Sequence, residues 1–376
     1  MSFGFGGERF VATYRLAGDE AKAYAQAQDI CLEQTVELPD ALVTQQHIRE
    51  HVLGRIEEFS RVGDNVYHAR ISFAVEIVAG ELTQLLNVLF GNISLKPGIR
   101  LEKFELPASM LEKFRGPRFG KTRLREILKV PERPLLCTAL KPLGLLAREL
   151  AELAYQFALG GVDIIKDDHG LTEQHTAEFN ERVERCVQAV ARANQTTGGN
   201  SMYAPNITAP SGYEYGSALE AKRLGAGAVL LCPGIVGLSV MQMLANDADF
   251  DLPILAHPAF QGSFVTAREN GISHFCLFGQ LNRLAGADAA IFPNFGGRFS
   301  FSQDDCRAIV DGCNIEMGNI APIFPTPAGG MSLERVPEMR AMYGRDAIFL
   351  IGAGLRSHSP DLVANCRYFR EMVENV

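Results

Sequence analysis

Four consecutive side chains, Lys166, Asp167, Asp168 and His169, end the apolar run Gly160-Gly161-Val162-Asp163-Ile164-Ile165. A β-branched run that stops in ionisable residues reads as a buried parallel strand whose last residues emerge into a polar site. Alternate side chains of a strand share a face, so Lys166 and Asp168 project together, and His169 joins them as the chain leaves the strand. Oxygen and nitrogen donors that converge in this way make a divalent cation site. Carboxylate favours Mg²⁺, and the imidazole leaves room for Mn²⁺ or Zn²⁺. A salt-bridged cluster capping the strand is the alternative these residue types leave open.

Such a strand end needs a scaffold. After Pro134, apolar strands alternate with longer amphipathic segments, the mark of parallel βα units. Strands are expected at 135–140, 162–166, 202–207, 228–232, 254–257, 289–292, 321–324 and 347–351. Helices are expected at 147–159, 173–193, 217–224, 272–284, 304–313 and 335–343. Eight repeats of strand and helix close into a (β/α)₈ TIM barrel of the α/β class, with its active site at the C-terminal ends of the strands. The conspicuous polar residues fall there: Lys141, the 166–169 group, Asn206 and Thr208, His257, then Asn294 and Arg298. Pro325-Thr326-Pro327-Ala328-Gly329-Gly330 and Gly352-Ala353-Gly354-Leu355-Arg356 follow the last two strands. Glycines at 329, 330, 352 and 354 permit the close backbone approach that a phosphate requires, so a phosphorylated small molecule is the expected substrate; plain tight turns are the other reading.

Ahead of the barrel, a strand at 10–14, a helix at 21–32, a strand at 65–77, a helix at 81–89 and a strand at 100–106 describe a small α+β domain. Its sheet is expected to be antiparallel with helices on one face. The stretch 107–134 crosses between the two, giving domains at 1–125 and 126–376. A net charge of -8, from 36 basic and 44 acidic residues, argues against nucleic acid or an anionic membrane surface as partner. The longest apolar stretches fall far short of the roughly 20 residues that span a bilayer. The first residues lack the order of a signal peptide, so a cytoplasmic location is expected. Eight cysteines without a Cys-x-x-Cys pair read as small core hydrophobes, not as disulfides or structural zinc.

Leu140-Lys141-Pro142-Leu143-Gly144-Leu145, Gly160 to Asp168, Tyr203 to Ala209 and the two glycine loops together resemble the RuBisCO large-subunit superfamily. Gly91-Asn92 and the segment from Arg100 to Pro107 extend the resemblance into the small domain. The resemblance implies an N-terminal ferredoxin-like domain, a C-terminal barrel, and a homodimer whose sites are completed by the neighbour's N-terminal domain. Carried over by position, Lys166 looks like the lysine that reacts with CO₂ to form a carbamate ligand for Mg²⁺, with Asp168 as the next ligand and His169 at the third. Lys141 looks like the base or proton relay of enolisation, and His257 like the histidine of the fifth strand. Gly329, Gly330, Gly352 and Gly354 resemble the phosphate-binding glycines. Glu33 and Asn92 resemble the residues contributed across the dimer, and Asn206 and Thr208 lie in the turn expected to meet substrate or metal.

The departures matter as much. The family's third ligand is a glutamate, and here it is His169. The second lysine of true carboxylases has no counterpart after Lys141, Arg298 stands where their mobile loop carries a lysine, and Ile291 or Phe292 stands for a histidine. Loss of the CO₂-handling residues with retention of the metal and phosphate sets resembles the RuBisCO-like proteins of form IV. It implies the shared first step, proton abstraction next to a carbonyl with the enediolate stabilised by the cation. The expected function is a Mg²⁺-dependent isomerase of a ketose phosphate such as 5-methylthioribulose 1-phosphate, in methionine salvage. A decarboxylase or transcarboxylase of a 3-oxo sugar-acid phosphate, to which Arg298 would be suited, and a non-catalytic sugar-phosphate-binding protein are the alternatives.

Overall fold

The structure, a computed structural model, describes residues 4–374. In chain order its strands are β1 (Arg9–Ala17), β2 (Arg55–Gly63), β3 (Val66–Ala74), β4 (Ile99–Glu105), β5 (Leu135–Leu140), β6 (Ile164–Asp167) and β7 (Met202–Ala204). There follow β8 (Val229–Leu231), β9 (Ile254–Ala256), β10 (Gly271–Ile272), β11 (Ala289–Pro293), β12 (Phe324–Ala328) and β13 (Ile348–Leu350). The chain divides into two compact units. The first runs to Phe114 and adds Gln261–Leu281 and Glu316–Ile320; the second holds the rest.

The first unit carries one sheet in the order β10-β4-β1-β3-β2. Its pairs are antiparallel except β10 with β4. With one helix (Glu20–Glu33) between β1 and β2 and another (Leu82–Phe90) between β3 and β4, this is the βαββαβ order of a ferredoxin-like domain. Asp19 caps the first helix by accepting from the Lys22 amide at 2.8 Å, and the helix buries Ala23, Ala27, Ile30 and Cys31 at helical spacing. The strand β2 has no counterpart among the expected elements. It is a mostly exposed edge strand, so it lacks the apolar alternation that marks a half-buried one. The expected helix at 272–284 is found as a π-helical stretch, Phe275–Leu281, running into a short α-helix, Asn282–Leu284, behind the short strand β10. Gln261–Leu281 belongs to the first unit, where the Gln280 amide bridges the backbone N–H and C=O of Phe104 at 3.1 and 2.8 Å.

In the second unit β13-β5-β6-β7 and β8-β9-β11-β12 form two parallel four-stranded sheets. A parallel bridge between Asn206 and Leu230 joins β7 to β8, and β12 lies against β13, so eight strands close into the barrel. Its interior follows a period of two: Leu135 and Cys137, Ile164, Met202 and Ala204, Leu230, Leu255, Ala289 and Ile291, Phe324 and Ala328, Ile348 and Leu350. Several boundaries shift from the sequence expectation, the helix expected at 173–193 being Phe179–Thr197 and the strand expected at 202–207 being Met202–Ala204, and two of the shifts have a clear cause. Strand seven is 324–328 where 321–324 was expected, because Pro325-Thr326-Pro327 are paired with Ala290-Ile291-Phe292 on β11 as a strand. The junction after Phe114 precedes the expected 125/126 because Leu124 and Leu128 of the helix Gly120–Leu128 join the barrel core. No described helix is long and apolar enough to cross a membrane.

Candidate active site

The interior register carries on past the strand ends into the site. Leu135 and Cys137 lead by steps of two to Lys141, Ile164 to Lys166 and Asp168, Leu255 to His257, and Leu350 to Gly352. The apolar residues therefore fill the barrel while the ionisable ones ring its C-terminal mouth. All eight cysteines are buried thiols, and burial pushes Cys137, beside Lys166, up to about 12, so it is no nucleophile at neutral pH.

Lys166 is buried, with its Nζ donating to the Asp167 carbonyl at 2.9 Å. Burial lowers its pKa, and the positive charge of Lys141 adds to that, while Cys137 and Asp168 oppose it. Asp168 lies between two nitrogens: Lys141 Nζ at 2.6 Å and His169 Nδ1 at 3.4 Å, both from Oδ1. Burial alone would raise the Asp168 carboxyl, but the hydrogen bonds from His169 and Lys141 and the charges of Lys141 and Lys166 hold it well below the usual carboxylate range. The rings of His169 and His257 stack, with centroids 4.5 Å apart and planes 12° from parallel. Burial, then the charges of Lys166 and His169, bring the His257 pKa down to about 2. It is a neutral imidazole. Its Nδ1 accepts from the Ala259 amide at 3.2 Å, which leaves the proton on Nε2 as a donor.

Asn206 and Thr208 are brought to the same strand end, where their polar atoms hold backbone. The Asn206 amide donates to the carbonyls of His169 and Leu171 at 2.9 and 3.0 Å and accepts from the Thr208 amide at 3.1 Å. Thr208 Oγ1 accepts from the Cys232 amide at 3.0 Å. They shape the turn that carries His169.

The glycine loops meet one another. Gly329 and Gly330 have φ of +87° and +86°, and a Cβ on Gly330 would lie 3.1 Å from the Arg298 nitrogen, so the loops after β11 and β12 approach backbone to backbone. The Arg298 amide donates to the Gly329 carbonyl at 3.3 Å, and its exposed guanidinium lies over the Phe299 ring at 5.0 Å. After β13, a Cβ on Gly354 would collide with the Met331 carbonyl oxygen, and one on Gly352 would lie 3.8 Å from Lys141 Cε. Arg356 Nη1 donates to the Lys141 carbonyl at 2.5 Å, so a second exposed arginine joins the glycine turns to the lysine strand. Its place two residues after Gly354 is the sequence signal for it. In the first unit Asn92 donates to Glu33 and to Glu37 at 3.1 Å, and Lys96 pairs with Glu33 at 3.1 Å, so the two expected cross-dimer residues form one cluster.

Sequence reasoning gave no role to Asp167 and Tyr203, on the other face of the strands, or to Arg182, on a covering helix. Arg182 sits in the buried stripe Phe179, Val183, Cys186, Val190 of the helix Phe179–Thr197. A cation in an apolar stripe demands a buried partner, and that was the legible signal.

As to a metal, Asp168 and His169 supply one carboxylate and one imidazole in reach of each other. Among the described residues no group of three His, Cys, Asp or Glu side chains could hold an ion unaided. A buried lysine with a lowered pKa beside them is the group able to complete the set as a carbamate, so these donors fit a hard divalent cation.

A two-unit chain with a ferredoxin-like domain, a (β/α)₈ barrel and a lysine–aspartate cluster at the end of its second strand belongs to a narrow class of barrel enzymes. Residues 120–375 match the family model for the catalytic domain of the ribulose bisphosphate carboxylase large chain. The chain belongs to the RuBisCO large-chain family, within its form IV RuBisCO-like proteins. It is 38% identical to the 5-methylthioribulose-1-phosphate isomerase of Rhodospirillum rubrum, over 93% of this chain and 91% of that one. It is 33% identical to the 2,3-diketo-5-methylthiopentyl-1-phosphate enolase of Bacillus licheniformis, over 97% of this chain and 92% of the relative. Among solved structures, the Rubisco-like protein of Rhodopseudomonas palustris superposes with a TM-score of 0.87 at 38% identity, covering 98% of both chains.

Proposed function

We propose that the protein isomerises a ketose 1-phosphate, 5-methylthioribulose 1-phosphate being the substrate of first choice, in methionine salvage. The observation that carries this reading is the convergence of Lys141, Lys166, Asp168, His169 and His257 at one end of the barrel beside two glycine loops and two exposed arginines. The relative from Rhodospirillum rubrum bears the corresponding name.

Lys166, Asp168 and His169 would hold Mg²⁺, with Lys166 as a carbamate. In forming it, the neutral amine would attack the carbon of CO₂, the nitrogen–carbon bond forming as one carbonyl electron pair moves to oxygen, and the nitrogen would lose a proton to solvent. Burial favours the neutral amine that this step needs. The bound cation supplies Lewis acidity that makes the carbon next to a ketone more acidic. The chain does the rest. Lys141, half exposed beside Asp168, first releases its ammonium proton to solvent; as the neutral amine it takes the proton from that carbon and returns it to the neighbouring carbon. His257 donates from Nε2 to a substrate oxygen, and because it stays neutral it does not add a charge to the mouth. Amides of Gly329, Gly330, Gly352 and Gly354, with Arg298 and Arg356, take the phosphate. Glu33 and Asn92, presented by a second subunit, would complete the site in a homodimer.

The Bacillus licheniformis relative favours a second reading, enolisation of the diketone phosphate, which begins with the same proton removal. One assay separates them. Protein, Mg²⁺ and bicarbonate are incubated with each substrate and followed by ¹H and ³¹P NMR. A new ketose phosphate from 5-methylthioribulose 1-phosphate supports the isomerase; enol formation from the diketone with no change in the ketose replaces it with the enolase.

A further inference from the structure

The Lys166–His169 stretch is tied down from behind by a buried circuit that the proposed reaction does not use. Asp167 is fully buried and points away from the mouth. Its Oδ1 accepts from Tyr203 OH at 2.6 Å, and its Oδ2 accepts from Arg182 Nε at 3.1 Å and from the Asn206 amide at 3.0 Å. The backbone carbonyl of the same residue receives Lys166 Nζ at 2.9 Å. Asn206, held by Asp167, holds the His169 carbonyl in turn at 2.9 Å. One carboxylate thus fixes the peptide that receives the lysine amine and the residue that anchors the histidine.

The composition of this circuit argues that position, not stability, is its purpose. Arg182 and Asp167 are both fully excluded from solvent, and Arg182 Nη2 has no hydrogen-bond partner. A buried ion pair with an unsatisfied donor is commonly no more stabilising than apolar packing of the same volume. The neighbours on the same helix stripe, Val183, Cys186 and Val190, show that apolar filling suits this layer. What apolar residues cannot do is fix the peptide plane at 167 and the backbone at 206.

We propose that Tyr203 and Arg182 are positioning residues, which through Asp167 set the aim of the Lys166 amine toward the barrel mouth. The inference deepens the proposed role of Lys166 and rests on that reading, but its test does not need substrate. Tyr203→Phe removes one hydroxyl and leaves the ion pair intact. Val190→Ala loosens the same helix without touching the circuit and serves as the packing control, and Lys166→Met is the blank.

Full-length protein is titrated with ¹³C-bicarbonate, and the carbamate carbon is observed by NMR with circular dichroism as the check on folding. Tyr203→Phe is expected to need at least fivefold more bicarbonate than the wild type for half occupancy, while Val190→Ala matches the wild type. In parallel, cyanate, which carbamoylates neutral amines and resembles CO₂ in shape, is reacted with each protein and the rate at Lys166 read by peptide mass spectrometry. A fivefold slower rate in Tyr203→Phe is expected. If the wild type shows no Lys166-dependent carbamate, the carbamate reading fails by itself and the cyanate rate decides the positioning role. Equal cyanate rates in the wild type and Tyr203→Phe, or an equal loss in Val190→Ala, would overturn it. A Tyr203→Phe protein that does not fold would also overturn it, since the hydroxyl would then be structural.

Discussion

Lys141 and Lys166 stand at the ends of neighbouring strands in the same interior register, yet they are different groups. Lys166 is buried with its amine on a carbonyl; Lys141 is half exposed with its ammonium on Asp168. Lys141→Met is therefore expected to lower kcat by about 10²- to 10⁴-fold, the usual worth of a proton-transfer group, with KM little changed; steady-state kinetics with each substrate checks this. Both pKa shifts make stability rise with pH, in different windows. The Lys166 pKa is lowered on folding, so the unfolded chain binds the proton longer, and stability rises with pH through the window below the ordinary lysine value of about 10.4. Carbamate formation releases protons and so increases with pH at a fixed CO₂ concentration, and the lowered pKa moves that increase to lower pH. Asp168 is depressed, so its contribution is fully present above about pH 3.9 and is lost as pH falls below that toward its folded value. Urea unfolding of wild type and Asp168→Asn should converge in stability only in that acid range; a constant difference down to about pH 2 would show that Asp168 is not held by its cationic neighbours.

At the scale of elements, the strands were legible because their chemistry repeats. The inward alternation that fills the barrel with Leu135, Ile164, Leu255 and Ile348 is the alternation that delivers Lys166, Asp168 and His257 to one end, so core and site were read from one pattern. Where the pattern is absent the reading missed: β2 is an exposed edge; the helix expected at 272–284 is present from Phe275, but its unit could not be read, since Gln261–Leu281 belongs to the first unit. Pro325 and Pro327 read as a loop because proline cannot donate to a ladder, yet a strand can pair through the residues between them. Asp167 and Arg182 were harder to read for another reason: a cation in the apolar stripe of its helix marks a buried partner, but nothing local says which strand supplies it. Close contacts at two turns make elements testable. Gly354→Ala would drive a methyl carbon into the Met331 carbonyl oxygen, so the turn proposed to take the phosphate must open, and KM is expected to rise more than kcat falls in steady-state kinetics. Arg133 binds Asp163 through Nη1 and Nη2 at 2.7 Å each, and Asp163 Oδ2 also accepts the Leu136 amide at 2.7 Å, joining the starts of β5 and β6. Arg133→Ala leaves Asp163 buried without its cation, and the cost by denaturant unfolding is expected to be about 3–5 kcal/mol.

For the whole molecule, the residues proposed for the cation, the phosphate and the proton relay all lie in the second unit, while Glu33 and Asn92 sit in the first unit on a cluster of their own. In a homodimer that shares its sites, Lys166→Met and Asn92→Ala damage different units of one site, so a mixed dimer contains one intact site. Each variant alone is expected to be nearly inactive, and after dissociation and reassociation in equal amounts the mixture should regain about a quarter of wild-type activity, as random pairing in a two-fold dimer requires. No recovery would place both residues in the same chain's site. The proposed function rests on one event, removal by a lysine at the barrel mouth of the proton beside a substrate ketone when CO₂ and Mg²⁺ are present. Solvent exchange tests that event most directly. In D₂O with 5-methylthioribulose 1-phosphate, Mg²⁺ and bicarbonate, the wild type is expected to lose the ¹H signal at the carbon next to the ketone, and the loss is expected to be strongly slowed in Lys141→Met and Lys166→Met. Exchange that proceeds equally in those two variants, or is absent from the wild type, would contradict it.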